Sequence, residues 1–336
     1  MEGGFDGTIM ACSWSFRLSG IGFGTWAWGN QFVWGYEPGR DDLRLAATFH
    51  EAIASGLTLV DTADSYGTGR LNGRSELLLG GFVEELPPSL QARPVIATKL
   101  APFPWRLGRR GLDRAFQASR RRLQGHLQRV QLHWSTARYA PWQESALLDG
   151  LADLVLEGEV GEVGVSNVGP RRLKWMHARL AQRGVSLRSV QIQFSLLAPG
   201  DDTIADVLKI AEGLGIDVLA YSPLAFGILC QPPGAEPQPS TLLRRRLFRR
   251  LLPASQALRS AIKAIASDRG ISMVQVCLNW CRAHGTTPIP GLRTPEQARD
   301  VASALRWQLS DEERDQLDRL RHDCPIRMPA NPFQSA

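Results

Sequence analysis

The chain alternates between short apolar runs and longer amphipathic stretches from about residue 20 to about residue 320. The apolar runs are rich in Val, Ile, Leu and Ala, which is typical of buried parallel strands. The stretches between them have apolar positions three and four residues apart, which predicts helices with one buried face. The predicted strands are Ile21–Thr25, Leu57–Asp61, Pro94–Lys99, Val130–His133, Val160–Ser166, Val190–Phe194, Val218–Ser222 and Thr287–Ile289.

The helices predicted between these strands carry recognisable ends. A helix over Asp41–Ser55 stops at Gly56, a helix over Arg74–Glu85 stops at prolines 87 and 88, and Pro170 suits a first turn. The remaining predicted helices are Leu112–Gln124, Gln143–Glu157, Thr203–Leu214, Ala254–Asp268, Ser272–His284 and a closing helix from Pro295. The segment between residues 222 and 254, with its proline-rich run 231–239, is predicted to be irregular.

Eight strands separated by helices, with no break in composition, predict an α/β protein with a single (β/α)8 TIM barrel over residues 20–325. Residues 1–19 suit a lead-in with a short hairpin, and residues 326–336 a C-terminal tail. The competing architecture is an open doubly wound sheet, which often has a G-x-G-x-x-G loop after its first strand. Glycines 20, 22 and 24 have the wrong spacing for that loop, and the next helix begins too late.

Composition narrows the class of partner. The hydrophobic fraction of 43% suits a full core, and no apolar stretch approaches the ~20 residues that span a bilayer. The formal charge is +6, with arginine clusters at 106–110, 120–122 and 244–250. Because these clusters lack a nucleic-acid-binding motif or interleaved aromatic residues, we expect solvated helix faces or a small anionic ligand rather than nucleic acid.

Five scattered cysteines favour a reducing compartment, and Glu2 and Asp6 argue against a secretion signal, so a cytoplasmic protein is expected. Cys277 and Cys281 stand four apart on a predicted helix and would make half a metal site. No second pair with ligand spacing accompanies them, so no metal is expected.

Polar groups follow the predicted strands where a barrel would gather them at one mouth. Asp61 ends the second strand and Tyr66 follows on its loop, while Lys99 and His133 end the third and fourth. Asp61 as a turn cap, Tyr66 as a surface residue and His133 as a core histidine are the alternatives at each position.

Together, however, these four residues have a chemical logic. A lysine ammonium at the end of an apolar strand needs a partner, which Asp61 can provide. A neighbouring Lys99 is expected to favour the phenolate of Tyr66 and lower its pKa, and a histidine can hydrogen-bond a carbonyl oxygen. This set suits proton delivery to a carbonyl group while hydride arrives from elsewhere.

At this point the motifs resemble those of the aldo-keto reductases, in order, over residues 20–320. The matching motifs are Asp61–Gly67 (DTADSYG), Ser75-Glu76, Leu78–Gly80, Ala97–Lys99, Leu132-His133, Val163–Asn167, Ala220–Leu224 and Ile289–Gly291. The loops 26–30 and 68–74 are most similar to a plant-plastid and cyanobacterial branch of the family.

The resemblance implies a TIM-barrel oxidoreductase that uses NADPH to reduce aldehydes or ketones. It makes Tyr66 the general acid, Asp61 and Lys99 its tuning pair, and His133 the residue that orients the carbonyl group. It assigns Ser166, Asn167 and Gln191 to the nicotinamide carboxamide and Tyr221 to the nicotinamide ring. Further implied cofactor residues are Gly24, Thr25 and Trp26 at the pocket floor, Ser222, Leu224 and Gly227 at the pyrophosphate, and Arg293, Thr294, Gln297 and Asp300 at the adenosine 2′-phosphate and adenine.

Two motifs depart from the family pattern. Asp300-Val301 stands where Glu-Asn is usual, and Ile228–Gln231 replaces a Thr-Gly-Lys continuation after Gly227, so the 244–250 cluster is a candidate for the missing charge. The alternative function is an NADPH-binding, redox-sensing regulatory subunit with slow turnover. Tryptophans 26, 28, 34, 105 and 134 suggest a flat or apolar small-molecule carbonyl substrate, although core packing explains some of them equally well. A monomer is the family-level expectation.

Overall fold

The computed structural model describes residues 20–335, so the hairpin predicted for residues 1–19 lies outside the described residues. The strands form one sheet of parallel neighbours in the order β1 to β8. Gly22 and Gly24 of the first strand region donate to the carbonyl oxygens of Pro288 and Pro290 at 3.0 and 2.9 Å, which joins the two ends of the sheet. The strands are β1 Phe23–Gly24, β2 Leu59–Asp61, β3 Val95–Leu100, β4 Arg129–Leu132, β5 Glu162–Ser166, β6 Leu187–Gln193, β7 Asp217–Tyr221 and β8 Thr286–Ile289.

Helices connect successive strands, so the predicted (β/α)8 barrel is confirmed. They are α1 Gln31–Trp34, α2 Asp42–Ala54, α3 Arg74–Glu84, α4 Pro88–Gln91, α5 Gly108–Arg122, α6 Pro141–Leu156, α7 Pro170–Ala181, α8 Asp201–Leu214, α9 Leu242–Ala254, α10 Gln256–Asp268, α11 Met273–Ala283, α12 Pro295–Ser303 and α13 Asp311–Asp323. The prediction of an irregular segment up to residue 254 is wrong for α9, and α1 and α4 were not predicted.

The apolar residues of the described chain form two layers. A large cluster lies between the strands and the surrounding helices, and a small one lies inside the barrel. The inner cluster consists of Leu59, Val95, Ala97, Leu219 and Ile289, all buried. Because successive side chains of a strand alternate between faces, the residues two positions further along β2 and β3, Asp61 and Lys99, stand above this apolar layer.

The structure also bears on two features considered in the sequence, the neighbouring cysteines and the lengths of the apolar stretches. Cys277 and Cys281 are buried free thiols of α11, and the described residues contain no group of three potential metal ligands. None of the helices described is both long and apolar enough to cross a membrane.

Candidate active site

A buried ion pair stands at the end of β2 and β3. The Lys99 Nζ atom donates to Asp61 Oδ2 at 2.5 Å and to the Thr62 carbonyl oxygen at 2.8 Å. The other carboxylate oxygen, Oδ1, accepts from Gln191 Nε2 at 2.7 Å and from Gln131 Nε2 at 3.2 Å. The register of the sheet brings these groups together, since Lys99 pairs with Gln131. A lysine only 1% exposed therefore has its charge matched, as a buried ammonium requires.

Tyr66 stands next to this pair on the loop that follows β2. The Nζ atom of Lys99 lies 4.9 Å from the centre of its ring. The loop closes on itself, because the Gly73 amide donates to the Tyr66 carbonyl oxygen at 2.9 Å. No described residue hydrogen-bonds the Tyr66 hydroxyl, which leaves it for a ligand.

His133 completes the group. Its ring contacts that of Tyr66 edge-on, with centroids 5.9 Å apart. Its Nδ1 atom is 3.3 Å from the Ser65 hydroxyl. When Ser65 donates this bond, the imidazole proton resides on Nε2, for which no described residue is a partner. The four residues assigned by sequence to catalysis are thus brought together in the structure.

The shifts in pKa follow from the scarcity of water at this site. Desolvation raises the pKa of Tyr66 well above 10.0, and the charges of Asp61 and Asp64 act in the same direction. Desolvation also lowers the pKa of Lys99, against the opposing effect of Asp61, and lowers that of His133 well below 6.5, helped by Lys99 and Arg106. The expectation of a lowered pKa for Tyr66 is therefore wrong, because the desolvation of the buried phenol outweighs the favourable effect expected from the Lys99 charge. Tyr66 is a phenol and His133 is neutral at pH 7.

A network of hydroxyl groups forms hydrogen bonds around the end of β2. Ser75 Oγ donates to Thr25 Oγ1 at 2.6 Å and lies 3.0 Å from Thr62 Oγ1. The Thr25 hydroxyl in turn donates to the Asp61 carbonyl oxygen at 3.1 Å. Thr25, predicted to line the pocket floor near the cofactor, thus holds the Asp61 backbone. Its neighbour Gly24 pairs directly with Asp61 in the sheet.

The side chains predicted to bind the carboxamide and the ring of the nicotinamide lie together on β5, β6 and β7 or, for Asn167, directly after β5. Asn167 Nδ2 donates to Ser166 Oγ at 3.1 Å, and Tyr221 Oη donates to Asn167 Oδ1 at 2.8 Å. Gln191 pairs with Ser166 in the sheet and uses its Nε2 atom on Asp61. Gln191 therefore connects the predicted carboxamide site to the ion pair.

The loop predicted to meet the pyrophosphate is strained. Ser222, Ala225 and Phe226 have φ values of 52°, 47° and 58°, and Gly227 follows at 91°. Such a backbone costs of order 1–3 kcal/mol for each non-glycine residue and clusters where a protein holds a ligand. Asn167 shares the left-handed conformation at 58°. Of the five non-glycine residues with positive φ in the described chain, four lie at predicted cofactor positions or in this loop, the exception being Gln124.

A helix N-terminus marks the predicted 2′-phosphate site. Thr294 is the N-cap of α12, and its Oγ1 atom accepts from the Gln297 amide at 3.3 Å. Gln297 returns a side-chain bond, since its Oε1 atom accepts from the Arg293 amide at 2.8 Å. The N-terminus of a helix is favourable for an anion, and Arg293 adds a guanidinium that no carboxylate of the described residues pairs with.

Arg244 on α9 joins this site. Its guanidinium carbon lies 4.5 Å from the centre of the Trp34 ring, and that of Arg293 lies 5.9 Å from the same ring. Arg244 donates to the Phe226 carbonyl oxygen at 3.2 Å, which ties it to the strained loop. Burial and the nearby Arg293 lower the pKa of Arg244. The buried Arg244 Nε and Trp34 Nε1 atoms have no partner among the described residues, which suits a ligand rich in acceptor oxygens.

In the clusters at 106–110 and 120–122, four arginines are paired with carboxylates: Arg106, Arg109, Arg120 and Arg122. Arg109 contacts Asp149 and Asp153, and Arg122 contacts Glu76, which uses these charges within the fold. Asp300 is also occupied, because Ser272 Oγ and Gln275 Nε2 donate to its two oxygens at 2.8 and 2.7 Å. Its predicted contact with adenine is left without support.

The tryptophans predicted near the pocket separate into groups. Trp28 is a core residue, fully buried, and donates to the Leu292 carbonyl oxygen at 2.8 Å. Trp26 packs edge-on against Phe226 of the strained loop, at 5.5 Å between centroids. Trp134 lies 5.0 Å from His133 and stacks on Phe333 at 4.3 Å. Aromatic residues therefore flank both the predicted cofactor loop and the His133 side of the site.

The sequence did not single out several residues of this site. Gln131 could have been identified, since it stands two positions before His133 on the same strand face. The sequence identified Arg244 only as one member of a basic cluster. It identified Ser65 only as one residue of the motif 61–67, without a role of its own. Asn331, which contacts Asn167 and Tyr221, carries no sequence signal at all.

A model of the Aldo/keto reductase family matches residues 20–322, and the chain belongs to this family. It is 46% identical over 321 residues to the chloroplastic pyridoxal reductase of Arabidopsis thaliana, an alignment that covers 95% of this chain and 87% of the relative. It is 30% identical over 304 residues to the 6-dehydroglucose reductase of Novosphingobium aromaticivorans, covering 87% and 90%.

Solved structures of related proteins have the same fold. An aldo-keto reductase from Klebsiella pneumoniae in complex with NADPH superposes with a TM-score of 0.70 at 29% identity, covering 94% of this chain and 95% of the other. The glycerol dehydrogenase of Gluconobacter oxydans gives a TM-score of 0.76 at 25% identity, covering 97% and 98%. The protein is an NADP-dependent oxidoreductase of the aldo-keto reductase family and reduces carbonyl groups with NADPH. The unpartnered Arg244 and Trp34 donors, the strained loop and the α12 N-terminus fit such a cofactor.

Proposed function

We propose that the protein reduces the aldehyde group of a flat, ring-bearing small molecule, with Tyr66 as the proton donor. The observation that carries this proposal is the convergence of four side chains. The Lys99 ammonium lies 4.9 Å from the Tyr66 ring, bonded to Asp61, and the His133 ring contacts Tyr66 from the side.

Each of these residues has a distinct role in the proposed reaction. NADPH supplies the hydride when it is bound. As the carbonyl oxygen gains negative charge, Tyr66 Oη gives it a proton, and His133 Nε2–H donates a hydrogen bond to the same oxygen. The positive charge of Lys99 stabilises the tyrosinate that remains, and Asp61 keeps that lysine charged and in place. Water then returns a proton to Tyr66.

The aromatic residues beside His133 suggest the class of substrate. Trp134 and Phe333 are stacked, and Phe103 meets Trp134 edge-on at 5.7 Å. Aromatic faces bind flat rings by stacking and exclude water from them. Pyridoxal is the substrate we propose to test first, because the Arabidopsis relative carries that name.

The proposal is tested with a panel of aldehydes and NADPH, following the loss of reduced nicotinamide absorbance. We expect kcat/KM for pyridoxal and other aromatic aldehydes to exceed that for a straight-chain aliphatic aldehyde by at least about tenfold. A preference for aliphatic aldehydes would reject the substrate class. NADPH binding without turnover of any aldehyde would favour the regulatory alternative.

A comparison of NADPH with NADH tests the proposed role of Arg244 and Arg293. Arg244→Met and Arg293→Met should each raise the Kd for NADPH about tenfold and alter that for NADH much less, since a guanidinium pairs with a 2′-phosphate. Arg250→Met is the control, because Arg250 is an exposed residue of the same helix as Arg244. Equal effects on both cofactors would show that the pair does not recognise the 2′-phosphate.

A further inference from the structure

The tail segment, residues 329–335, lies across the predicted carboxamide site. The Nδ2 atom of Asn331 is 3.0 Å from Asn167 Oδ1 and 2.8 Å from Tyr221 Oη. The segment is also fixed further along, since the Ser335 amide donates to the Asn167 carbonyl oxygen at 3.1 Å. A side-chain amide from the tail thus contacts two of the four residues assigned to the nicotinamide.

Asn167 has no hydrogen-bonding capacity left in this arrangement. Its two amide hydrogens are used on the His133 carbonyl oxygen and on Ser166 Oγ, at 3.0 and 3.1 Å. Its oxygen accepts from Tyr221 Oη and Asn331 Nδ2. A carboxamide side chain offers two donors and an oxygen with two lone pairs, so all four positions are filled. A ligand that bonds the Asn167 side chain must therefore replace one of these partners.

Among the hydrogen-bond partners of Asn167, Asn331 is the one whose release requires the least free energy. The His133 and Ser166 bonds are made at strand ends, and Tyr221 is held by β7, where it pairs with Gln193 and Ile289. Asn331 lies in an irregular, half-exposed segment, so its release breaks no helix or strand bond. Chemically it is also the best match, because its side chain and the nicotinamide substituent are both primary amides.

We propose that Asn331 occupies the hydrogen-bonding position of the cofactor's carboxamide, so that NADPH binding displaces it. This inference rests on the proposed NADPH-dependent function and on the assignment of Asn167 to that carboxamide, which the family resemblance implies. The displacement of Asn331 should also move Phe333, because Asn331 Oδ1 accepts from the Phe333 amide at 3.0 Å. The Phe333 ring stacks on Trp134, one of the aromatic residues proposed to contact the substrate. Cofactor binding and the aromatic residues beside His133 are thereby linked through one side chain.

The test compares NADPH binding by wild type, Asn331→Ala and Gln334→Ala, using quenching of protein fluorescence. Asn331→Ala removes the competing amide and should lower the Kd for NADPH about three- to tenfold, since the apparent affinity of a site rises with the fraction that is open. Gln334→Ala is the matched control, because no described residue hydrogen-bonds the Gln334 side chain, and it should stay within about twofold of wild type. An unchanged or higher Kd for Asn331→Ala would overturn the proposal.

Hydrogen exchange supplies a second readout that does not depend on turnover. Exchange of the amides of residue 331 and residues 333–335 should accelerate when NADPH is added to the wild type, and should already be fast in Asn331→Ala without cofactor. Equal or slower exchange in the presence of NADPH would contradict the displacement. If wild type binds no NADPH, the proposed function itself fails. If it binds NADPH and Asn331→Ala gains no affinity, only the displacement fails.

Discussion

At the scale of single residues, the site depends on which nitrogen of His133 carries the proton. Ser65 Oγ lies 3.3 Å from Nδ1, so a donated hydroxyl proton places the imidazole hydrogen on Nε2. Desolvation, helped by the nearby charges of Lys99 and Arg106, lowers the pKa of His133 and keeps the ring neutral. We therefore predict that Ser65 is a positioning residue that acts through His133.

Ser65→Ala should lower kcat about three- to tenfold with little change in KM, because one hydrogen bond that orients the imidazole is lost. Ser65→Thr keeps the hydroxyl and should restore most of the rate. The imidazole nitrogen chemical shifts of labelled His133 should show one tautomer in wild type and a mixture in Ser65→Ala. Equal shifts in the two proteins would refute the role of Ser65.

The pH dependence follows from the same residues. Tyr66 must be protonated to donate, and its raised pKa keeps it so up to about pH 10; His133 must be neutral, and its lowered pKa keeps it so down to about pH 6.5. We therefore expect kcat/KM, which reports the free enzyme, to be flat between these limits. An alkaline decline with an apparent pKa below about 9 would contradict the raised pKa of Tyr66.

The four residues assigned to catalysis, Asp61, Tyr66, Lys99 and His133, were predictable because each lies at or beyond the end of a strand, where a barrel gathers its side chains. Asn331 was not, since its contacts with Asn167 and Tyr221 join positions more than a hundred residues apart, with no periodic pattern to announce them. The direction of the Tyr66 shift was missed for a related reason. A sequence names the neighbouring charges but does not show how much water is excluded.

At the scale of elements, the loop after β2 determines where Tyr66 lies. Gly67 has a φ of 121°, and a Cβ atom placed there would come within 1.8 Å of the Leu71 carbonyl oxygen. Gly69 has a φ of 55°, and a Cβ atom there would meet nothing within 4 Å. One glycine of the loop is thus required by close packing and the other only by its backbone angle.

Gly67→Ala should shift the loop and lower kcat at least about a hundredfold, because a displacement of about 1 Å at a reacting group has an effect of that size. Gly69→Ala should cost only about 1 kcal/mol of stability and leave kcat within about threefold. Steady-state kinetics and urea unfolding of the two variants measure these effects. Comparable kcat values for both would show that the loop does not position Tyr66.

The longest helix that sequence patterns missed, α9, shows where local signals fail. It follows the proline-rich run 231–239, carries five arginines and has Pro253 within its last turn. These features suggest a loop, yet Phe248 and Leu251 are buried and hold the helix against the barrel. Tertiary packing therefore overrides the local pattern and brings Arg244 to the strained loop that contains Phe226.

At the scale of the whole molecule, a second buried ion pair stands at the opposite end of the strands from the active site. Arg129, at the start of β4, is fully buried and donates to Glu162 of β5 at 2.9 and 2.5 Å. Charges begin these two strands, and polar residues predicted to belong to the site, Ser166 and His133, stand at or just beyond their other ends. The repeated strand–helix pattern made this architecture predictable, whereas the pairing of Arg129 with Glu162 depends on the register between β4 and β5.

Glu162→Gln should lower the free energy of unfolding by about 3 kcal/mol, because it leaves the Arg129 charge buried without compensation. Glu296→Gln, the same change at an exposed partner of Arg299, should cost less than about 1 kcal/mol. Urea denaturation measures both. Equal losses would show that water reaches Arg129 and that the buried pair is not needed to stabilise this end of the barrel.

The most direct test of the catalytic mechanism is the Tyr66→Phe variant, measured for NADPH binding and for turnover of pyridoxal in the same preparation. The change removes one hydroxyl that no described residue hydrogen-bonds, so the fold and the Kd for NADPH should stay close to those of wild type. We expect kcat to fall by a factor of about 10² to 10⁴, the usual contribution of a positioned acid. A variant that binds NADPH normally and keeps kcat within about tenfold of wild type would contradict the role of Tyr66 as the proton donor.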